Sequence, residues 1–175
     1  QNNRKAQLIF QTHPKGMGDA VLCFKKSKVF NNAKNILLAW GDIPFLNKET
    51  INKTLIHHEL NENDFTFPTR FVDNPYTLVK RDKNNKIIEI VEIRENPKDN
   101  IVKGEREIGL FVFKKKILNY LDKDLEGKYG LLTKEHGFLY IIKHLVISGL
   151  KVEGLPIAKN EELISLNAMS DISSI

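Results

Sequence analysis

The sequence is poor in cysteine and in long apolar runs, and each shortage excludes a class of protein. Cys23 is the single cysteine, which rules out an intrachain disulfide and a zinc site built from several cysteines. No run approaches the roughly 18 apolar residues of a membrane-spanning helix. The polar start QNNRKAQ also lacks the apolar core of a signal peptide. We therefore expect a cytoplasmic protein with no membrane partner.

The basic charge is scattered along the chain. The net charge is +5 and the pI is about 9.2, but the lysines form separate clusters at 24–28, 79–86 and 113–117, with acidic residues between them. A nucleic-acid groove needs a continuous basic surface, often with interleaved aromatic residues. The pattern favours solvated lysine faces, so we expect no nucleic-acid partner.

The arrangement of apolar segments predicts the fold class. With 175 residues, 41% of them hydrophobic, the chain suits a single domain over residues 1–175. Runs at 7–11, 36–40 and 108–113 predict strands, and helical patterns begin near 18, 47 and 136. A hairpin is predicted at 76–93. This alternation predicts an α/β fold whose central, mostly parallel sheet is flanked by helices and carries an inserted hairpin.

The second predicted helix carries two adjacent histidines near its C-terminus. Asn47 suits its N-cap. His57 and His58 point in different directions on a helix, and a metal pair prefers a spacing of four. We therefore interpret both histidines as surface residues that favour the negative end of the helix dipole.

Two short stretches carry groups that could contact a ligand. Gly16 and Gly18 let the backbone approach a ligand closely at the start of a helix, although such glycines are as typical of a packing turn. Asp42 follows a continuous apolar strand, where a carboxylate needs water, a metal or a partner; it could also be a turn acid. Ligands of open α/β sheets bind beyond the carboxyl ends of the strands, where both stretches are predicted to lie.

Five segments together resemble one enzyme family. They are QTHPKGMGDAV (11–21), LLAWGDIPFL (37–46), VDNPYTLVKRDKNNKIIEIVE (72–92), EIGLFVF (107–113) and GLKVEGLPIAKNEELISL (149–166). In order and spacing they are similar to the sugar-1-phosphate nucleotidyltransferases, especially the uridylyltransferase domain that makes UDP-N-acetylglucosamine. The resemblance implies a Rossmann-like fold and Mg²⁺-dependent transfer of a nucleoside monophosphate from an NTP, with UTP favoured, to a sugar 1-phosphate with release of pyrophosphate.

The resemblance also implies roles for individual residues. Asp42 would be the catalytic residue and would hold Mg²⁺. The nucleotide would be bordered by Gln11, Gly16, Met17, Gly18 and Gly41. The sugar phosphate would be contacted by Tyr76, Thr77, Glu92, Glu107 and Gly109.

Several positions depart from the family pattern. Asp19 stands where the family has histidine, Thr77 where it has glycine, and Glu107 where it has a sugar-binding asparagine. Ala158 stands at an asparagine metal ligand, with Asn160 as a substitute if the loop shifts. These changes imply an altered sugar pocket or weaker metal binding.

The family's opening strand, glycine-rich loop and lysine have no counterpart in these residues. We therefore expect the 175 residues to belong to a longer chain or to pair with a separate piece, and to catalyse poorly alone. A non-catalytic nucleotide- or sugar-nucleotide-binding subunit is the alternative, and a homo-oligomer stays open. A glycosyltransferase is disfavoured because GDIPF has one acid where an Asp-x-Asp pair would be needed.

Overall fold

The computed structural model describes residues 6–95 and 101–166. The helices are α1 (Met17–Leu22), α2 (Lys48–Leu60), α3 (Leu118–Asp122) and α4 (Ile141–Ile147). The strands are β1 (Asn35–Ala39), β2 (Phe65–Asp73), β3 (Thr77–Arg81), β4 (Ile87–Glu92), β5 (Lys103–Glu107), β6 (Leu110–Lys114) and β7 (Val152–Leu155). No helix among these residues is long and apolar enough to cross a bilayer.

The main sheet has the order β1-β6-β2-β5, with β7 also paired to β2. The first half of β2 pairs with β6 and β7, and its second half, from Thr69, pairs with β5. Strands β3 and β4 form the predicted hairpin as a separate two-stranded sheet. The α/β class predicted from the sequence is confirmed.

The prediction of a mostly parallel sheet is wrong. Among the described strands, only β2 and β7 pair in parallel, whereas β1 with β6, β6 with β2 and β2 with β5 are antiparallel. The reason is that β6 follows β5 without a crossover helix and lies between β1 and β2. Strands β1, β2 and β7 share one direction, and β6 opposes all three.

The core is dominated by phenylalanine. Phe65, Phe111, Phe113 and Phe138 have no exposed surface. The rings of Phe65 and Phe113 stack with centroids 5.4 Å apart, and Phe111 and Phe138 meet edge to face at 5.3 Å. Such pairs add about 0.5–1.5 kcal/mol each beyond the burial of their area. Because β6 is covered on both faces, the strand predicted at 108–113 is confirmed as buried.

Helix α2 buries a polar stripe. Asn47 caps it as predicted, since the Asn47 Oδ1 accepts a hydrogen bond from the Glu49 N–H at 2.9 Å. The prediction that His58 lies on the surface is wrong, because its side chain is 1% exposed and its Nδ1 lies 3.0 Å from the Thr66 Oγ1. His58 shares the inner face with Thr54 and Thr50, which lie four and eight residues before it.

The strand predicted at 7–11 is also wrong. These residues form no ladder with any described strand, and Leu8 and Phe10 are 81% and 79% exposed. An apolar run becomes a strand only when a partner edge and a packing surface fix it. The mixed acidic and basic stretch at 94–107 favours a loop, but β5 occupies its last residues; residues 96–100 lie outside the described part of the chain.

Candidate functional site

A cleft of about 750 Å³ opens where β1 ends, where β5 turns into β6 and at the base of the hairpin. Its lining comprises Met17, Trp40, Gly41, Asp42, Tyr76, Thr77, Glu92, Arg94, Glu107, Glu135, Leu139 and Ser165. Seven of the eleven site residues predicted from the sequence therefore share one surface. Gly109 adjoins them through Glu107. Gln11 and Gly16 precede α1, and Gly18 follows Met17 in its first turn.

The end of β1 is held against the turn between β5 and β6. The Trp40 N–H donates to the Gly109 carbonyl at 3.0 Å. Gly109 has a φ of +77°, and a Cβ there would lie 2.2 Å from the Ile43 side chain and 2.3 Å from the Trp40 ring. Only glycine fits this backbone and this contact. Gly109 thus positions the cleft wall through its backbone.

Asp42 lies one residue beyond Gly41 in the turn that follows β1, and it is part of the cleft surface. Its backbone carbonyl accepts a hydrogen bond from the Leu166 N–H at 2.8 Å, which ties this turn to the last described residues. Asp42 is half-buried and shares the cleft with Met17. Asp42 therefore belongs to the surface that a ligand in the cleft would contact.

Thr77 and Glu107 form a closed pair at the floor of the cleft. The Thr77 hydroxyl donates to the Glu107 Oε1 at 3.2 Å, and the other carboxylate oxygen accepts from the Gly109 N–H. Glu107 is 1% exposed, and burial raises its pKa above the ordinary value, with the charge of Glu92 acting in the same direction. Both oxygens of Glu107 are thus engaged by the protein.

Tyr76 is fixed by a cation stacked on its ring. The guanidinium carbon of Arg106 lies 3.7 Å from the ring centroid, a cation–π contact. Burial, followed by the charge of Glu107, raises the pKa of the Tyr76 hydroxyl. The tyrosine therefore presents a neutral phenol, and one face of its ring is already occupied.

The loop at 16–18 is clamped to the segment that precedes α4. The Gly18 N–H donates to the His136 carbonyl at 2.9 Å, and the His136 N–H donates to the Lys15 carbonyl at 2.7 Å. A Cβ on Gly18 would lie 2.1 Å from the Gly137 carbonyl oxygen. Gln11 braces the loop by donating to the Gly16 carbonyl and the Asp19 carboxylate. Gly16 has a φ of +109°, and a Cβ there would lie 2.5 Å from the His136 carbonyl oxygen, so both positions need glycine for packing.

Sequence reasoning missed five residues of the cleft, which are Trp40, Arg94, Glu135, Leu139 and Ser165. The Arg94 Nε donates to the Glu92 Oε2 at 3.0 Å, so the carboxylate that the sequence predicted as a sugar ligand carries a cation beside it. Glu135 lies in an irregular turn before His136. No periodic pattern marks it, and only the tertiary fold brings it to the cleft.

The position that aligns with a second metal ligand lies in an apolar environment. Ala158 is 2% exposed and packs with Ile108 and Leu110, and Asn160 is exposed and outside the cleft. In the described part of the chain, no group of three or more His, Cys, Asp or Glu side chains could hold a metal ion. Asp42 is thus the one predicted metal ligand that lies in the cleft.

Several curated proteins named GlmU are similar in sequence to this chain. It is 27% identical over 171 residues to the bifunctional protein GlmU of Thermodesulfovibrio yellowstonii, covering 95% of this chain and 36% of that protein. The GlmU of Clostridium tetani is 27% identical over 180 residues, with 99% and 38% covered. The GlmU of Fervidobacterium nodosum is 32% identical over 121 residues, with 66% and 26% covered.

The chain is a homologue of GlmU. This confirms the resemblance to the sugar-1-phosphate nucleotidyltransferase family. No family model matches the chain. The chain spans little more than a third of the length of the first two GlmU relatives.

Proposed function

We propose that this chain forms the acceptor half of a nucleotidyltransferase, which transfers a nucleoside monophosphate from an NTP to a sugar 1-phosphate and releases pyrophosphate. The single observation that carries the proposal is the cleft, which gathers Asp42, Tyr76, Thr77, Glu92 and Glu107 around one space of about 750 Å³. Homology to GlmU supports the reaction class.

The side chains fit this chemistry as positioning groups. An oxygen of the sugar phosphate attacks the α-phosphorus of the NTP in line, the α–β phosphoanhydride bond breaks, and pyrophosphate leaves. Glu92, at the end of β4, would accept hydrogen bonds from sugar hydroxyls. Met17 and Gly41 also line the cleft, where they would border the nucleotide. Such orientation of two phosphates supplies much of the rate enhancement.

Mg²⁺ is part of the proposal, with UTP as the favoured nucleotide. Asp42 is the residue that would hold the ion, and proteins commonly bind Mg²⁺ with one or two carboxylates, the remaining oxygens coming from substrate phosphates. When bound, the ion would neutralise charge on the phosphate oxygens. Since Ala158 supplies no oxygen ligand from its side chain, we expect weak binding of the ion without nucleotide.

The test is the substitution Asp42→Asn in the full-length protein. Pyrophosphate release is measured with UTP, Mg²⁺ and either glucose 1-phosphate or N-acetylglucosamine 1-phosphate. We expect a loss of about 100-fold or more, because an amide cannot replace the charge of the carboxylate. Asp73→Asn is the matched control, since Asp73 is 71% exposed in its pair with Lys103 and lies outside the cleft. Equal rates for wild type and Asp42→Asn would contradict the proposal.

The environment of Ala158 favours a second candidate, a non-catalytic subunit that binds a nucleotide or sugar nucleotide. An apolar contact at the position of a metal ligand would weaken catalysis more than binding. This candidate predicts nucleotide binding by calorimetry with no pyrophosphate release under any of the conditions above.

A further inference from the structure

Arg106 lies on β5 directly before Glu107, outside the lining of the cleft. Its side chain is buried, and a buried charge is costly unless other groups compensate for it. In place of an ion pair, the described residues offer its guanidinium two other contacts. The Arg106 Nε donates to the Glu107 carbonyl at 3.0 Å, and the guanidinium carbon lies 3.7 Å from the centroid of the Tyr76 ring. Arg106 thus contacts two residues that line the cleft.

The backbone of Tyr76 is fixed at the base of the hairpin. The Ile93 N–H, directly after β4, donates to the Tyr76 carbonyl at 2.9 Å, and the residue that follows Tyr76 begins β3. The torsions of the tyrosine side chain remain free to select among rotamers. The side chain is 46% exposed and lines the cleft, so the stacked guanidinium is the contact that favours one orientation of the ring.

A second arginine holds the other end of the hairpin against β5. Arg81, at the end of β3, donates from Nε and Nη2 to the two carboxylate oxygens of Glu105 at 2.6 and 2.7 Å. Glu105 directly precedes Arg106 on β5, and Arg81 lies outside the cleft. Both arginines therefore join the hairpin to β5, and of the two it is Arg106 that contacts a side chain of the cleft.

We propose that Arg106 is a positioning residue for the acceptor and holds the Tyr76 ring in the orientation that contacts the sugar phosphate. The proposal rests on the proposed function for the contact between Tyr76 and the acceptor. Because Arg106 lies outside the cleft lining, it acts through the ring. Ordering a mobile side chain during binding weakens affinity, so a ring that is already held in place strengthens binding of the acceptor.

The test is the substitution Arg106→Met in the full-length protein. Methionine fills part of the same space but has neither the charge nor the planar group that stacks on the ring. Pyrophosphate release is measured with Mg²⁺ while UTP and N-acetylglucosamine 1-phosphate, or glucose 1-phosphate, are varied in turn. We expect the KM for the sugar phosphate to rise about 3- to 10-fold, with kcat and the KM for UTP within about 2-fold of wild type. Arg106→Gln, which retains a donor for the Glu107 carbonyl, should give the same result and replaces Arg106→Met if that variant does not fold.

A double-mutant cycle separates positioning of the ring from a general effect on the fold. Tyr76→Ala removes the ring, so adding Arg106→Met to it should change the KM for the sugar phosphate by less than about 1.5-fold. Arg81→Met is the matched control, because it loosens the same hairpin from β5 without removing a contact to Tyr76. It should leave this KM within about 2-fold of wild type.

An unchanged KM for the sugar phosphate in Arg106→Met overturns the proposal. An effect of the same size in the Tyr76→Ala background, or in Arg81→Met, also overturns it. A wild-type protein that releases no pyrophosphate contradicts the proposed function, and the cycle is then measured by calorimetry as the Kd for UDP-N-acetylglucosamine. Loss of the Arg106 effect in Tyr76→Ala would support positioning through the ring in a binding protein, whereas additive effects or no binding would overturn it.

Discussion

Replacing Glu107 by glutamine should change how the stability of the protein depends on pH. The carboxyl of Glu107 is buried, and burial raises its pKa above the ordinary value of 4.5. Above pH 4.5 the unfolded chain releases this proton while the folded chain still holds it. Stability falls with pH wherever the folded state binds more protons, so Glu107 destabilises the fold as pH rises from 4.5 toward its folded pKa.

The size of the effect on the free energy of unfolding follows from the titration of one proton. A difference of one proton between the two states gives a slope of at most about 1.4 kcal/mol per pH unit. Glutamine removes this slope and keeps the contacts, since its oxygen can accept from the Gly109 N–H and its amide can donate to the Thr77 hydroxyl oxygen. The free energy of unfolding of Glu107→Gln should therefore rise relative to wild type as the pH increases above 4.5.

Urea denaturation at a series of pH values from 4.5 to 8 measures this difference. Trp40 is the single tryptophan, and its place in the cleft wall makes its fluorescence a reporter of unfolding. Subtracting the free energy of unfolding of the wild type from that of the variant at each pH cancels the contributions of the other titrating groups. Glu161→Gln provides the control at an exposed position. A difference that stays constant across the pH series would refute the reasoning that Glu107 takes up a proton in the folded state.

Two further predictions concern packing and charge. Gly18→Ala should lower the free energy of unfolding in urea by about 2–3 kcal/mol, because the alanine Cβ would lie 2.1 Å from the Gly137 carbonyl oxygen. Gly41→Ala, with no atom within 4 Å of the new Cβ, should cost less than about 0.5 kcal/mol, and equal losses would contradict the steric argument. Asp64→Asn should cost about 1–2 kcal/mol at pH 7 after allowing for the solvent exposure of the lysines involved. Burial opposes ionisation, but hydrogen bonds from Lys116, the Lys151 N–H and Lys114 outweigh it and lower the Asp64 pKa to about 2 from 3.8. This stabilisation is present above pH 3.8 and is lost as the pH falls toward 2, so a cost that persists at pH 2 would be inconsistent with it.

The pattern of apolar residues was sufficient to predict several elements of the fold. The runs at 36–40 and 108–113 became β1 and β6, and the hairpin formed around its predicted turn, where the Asp82 Oδ1 accepts from the Asn84 and Lys86 N–H groups. Local spacing also placed Asn47 at the start of α2. These features depend on neighbouring residues, so a single sequence contains the information for them.

Strand direction and several burial states could not be predicted in this way. Whether β6 runs with or against β1 depends on how the chain returns from β5, a choice made by pairing between distant segments. His58 is buried because α2 lies across Thr66, although a histidine near the end of a helix commonly faces water. The fully buried residues of α2 are the polar Thr50, Thr54 and His58, a face that apolar periodicity does not mark.

In the candidate site, too, some features were predictable from the sequence and others depend on the fold. The sequence by itself predicted which residues would contact a nucleotide and a sugar phosphate, because the types and spacing of Asp42, Tyr76 and Glu92 resemble a family pattern, and that assignment stays a prediction. Only the tertiary structure decided that Glu107 is closed off by Thr77 and Gly109. Hydrogen-bond satisfaction is a property of the packed chain, because each partner comes from a different element of the fold.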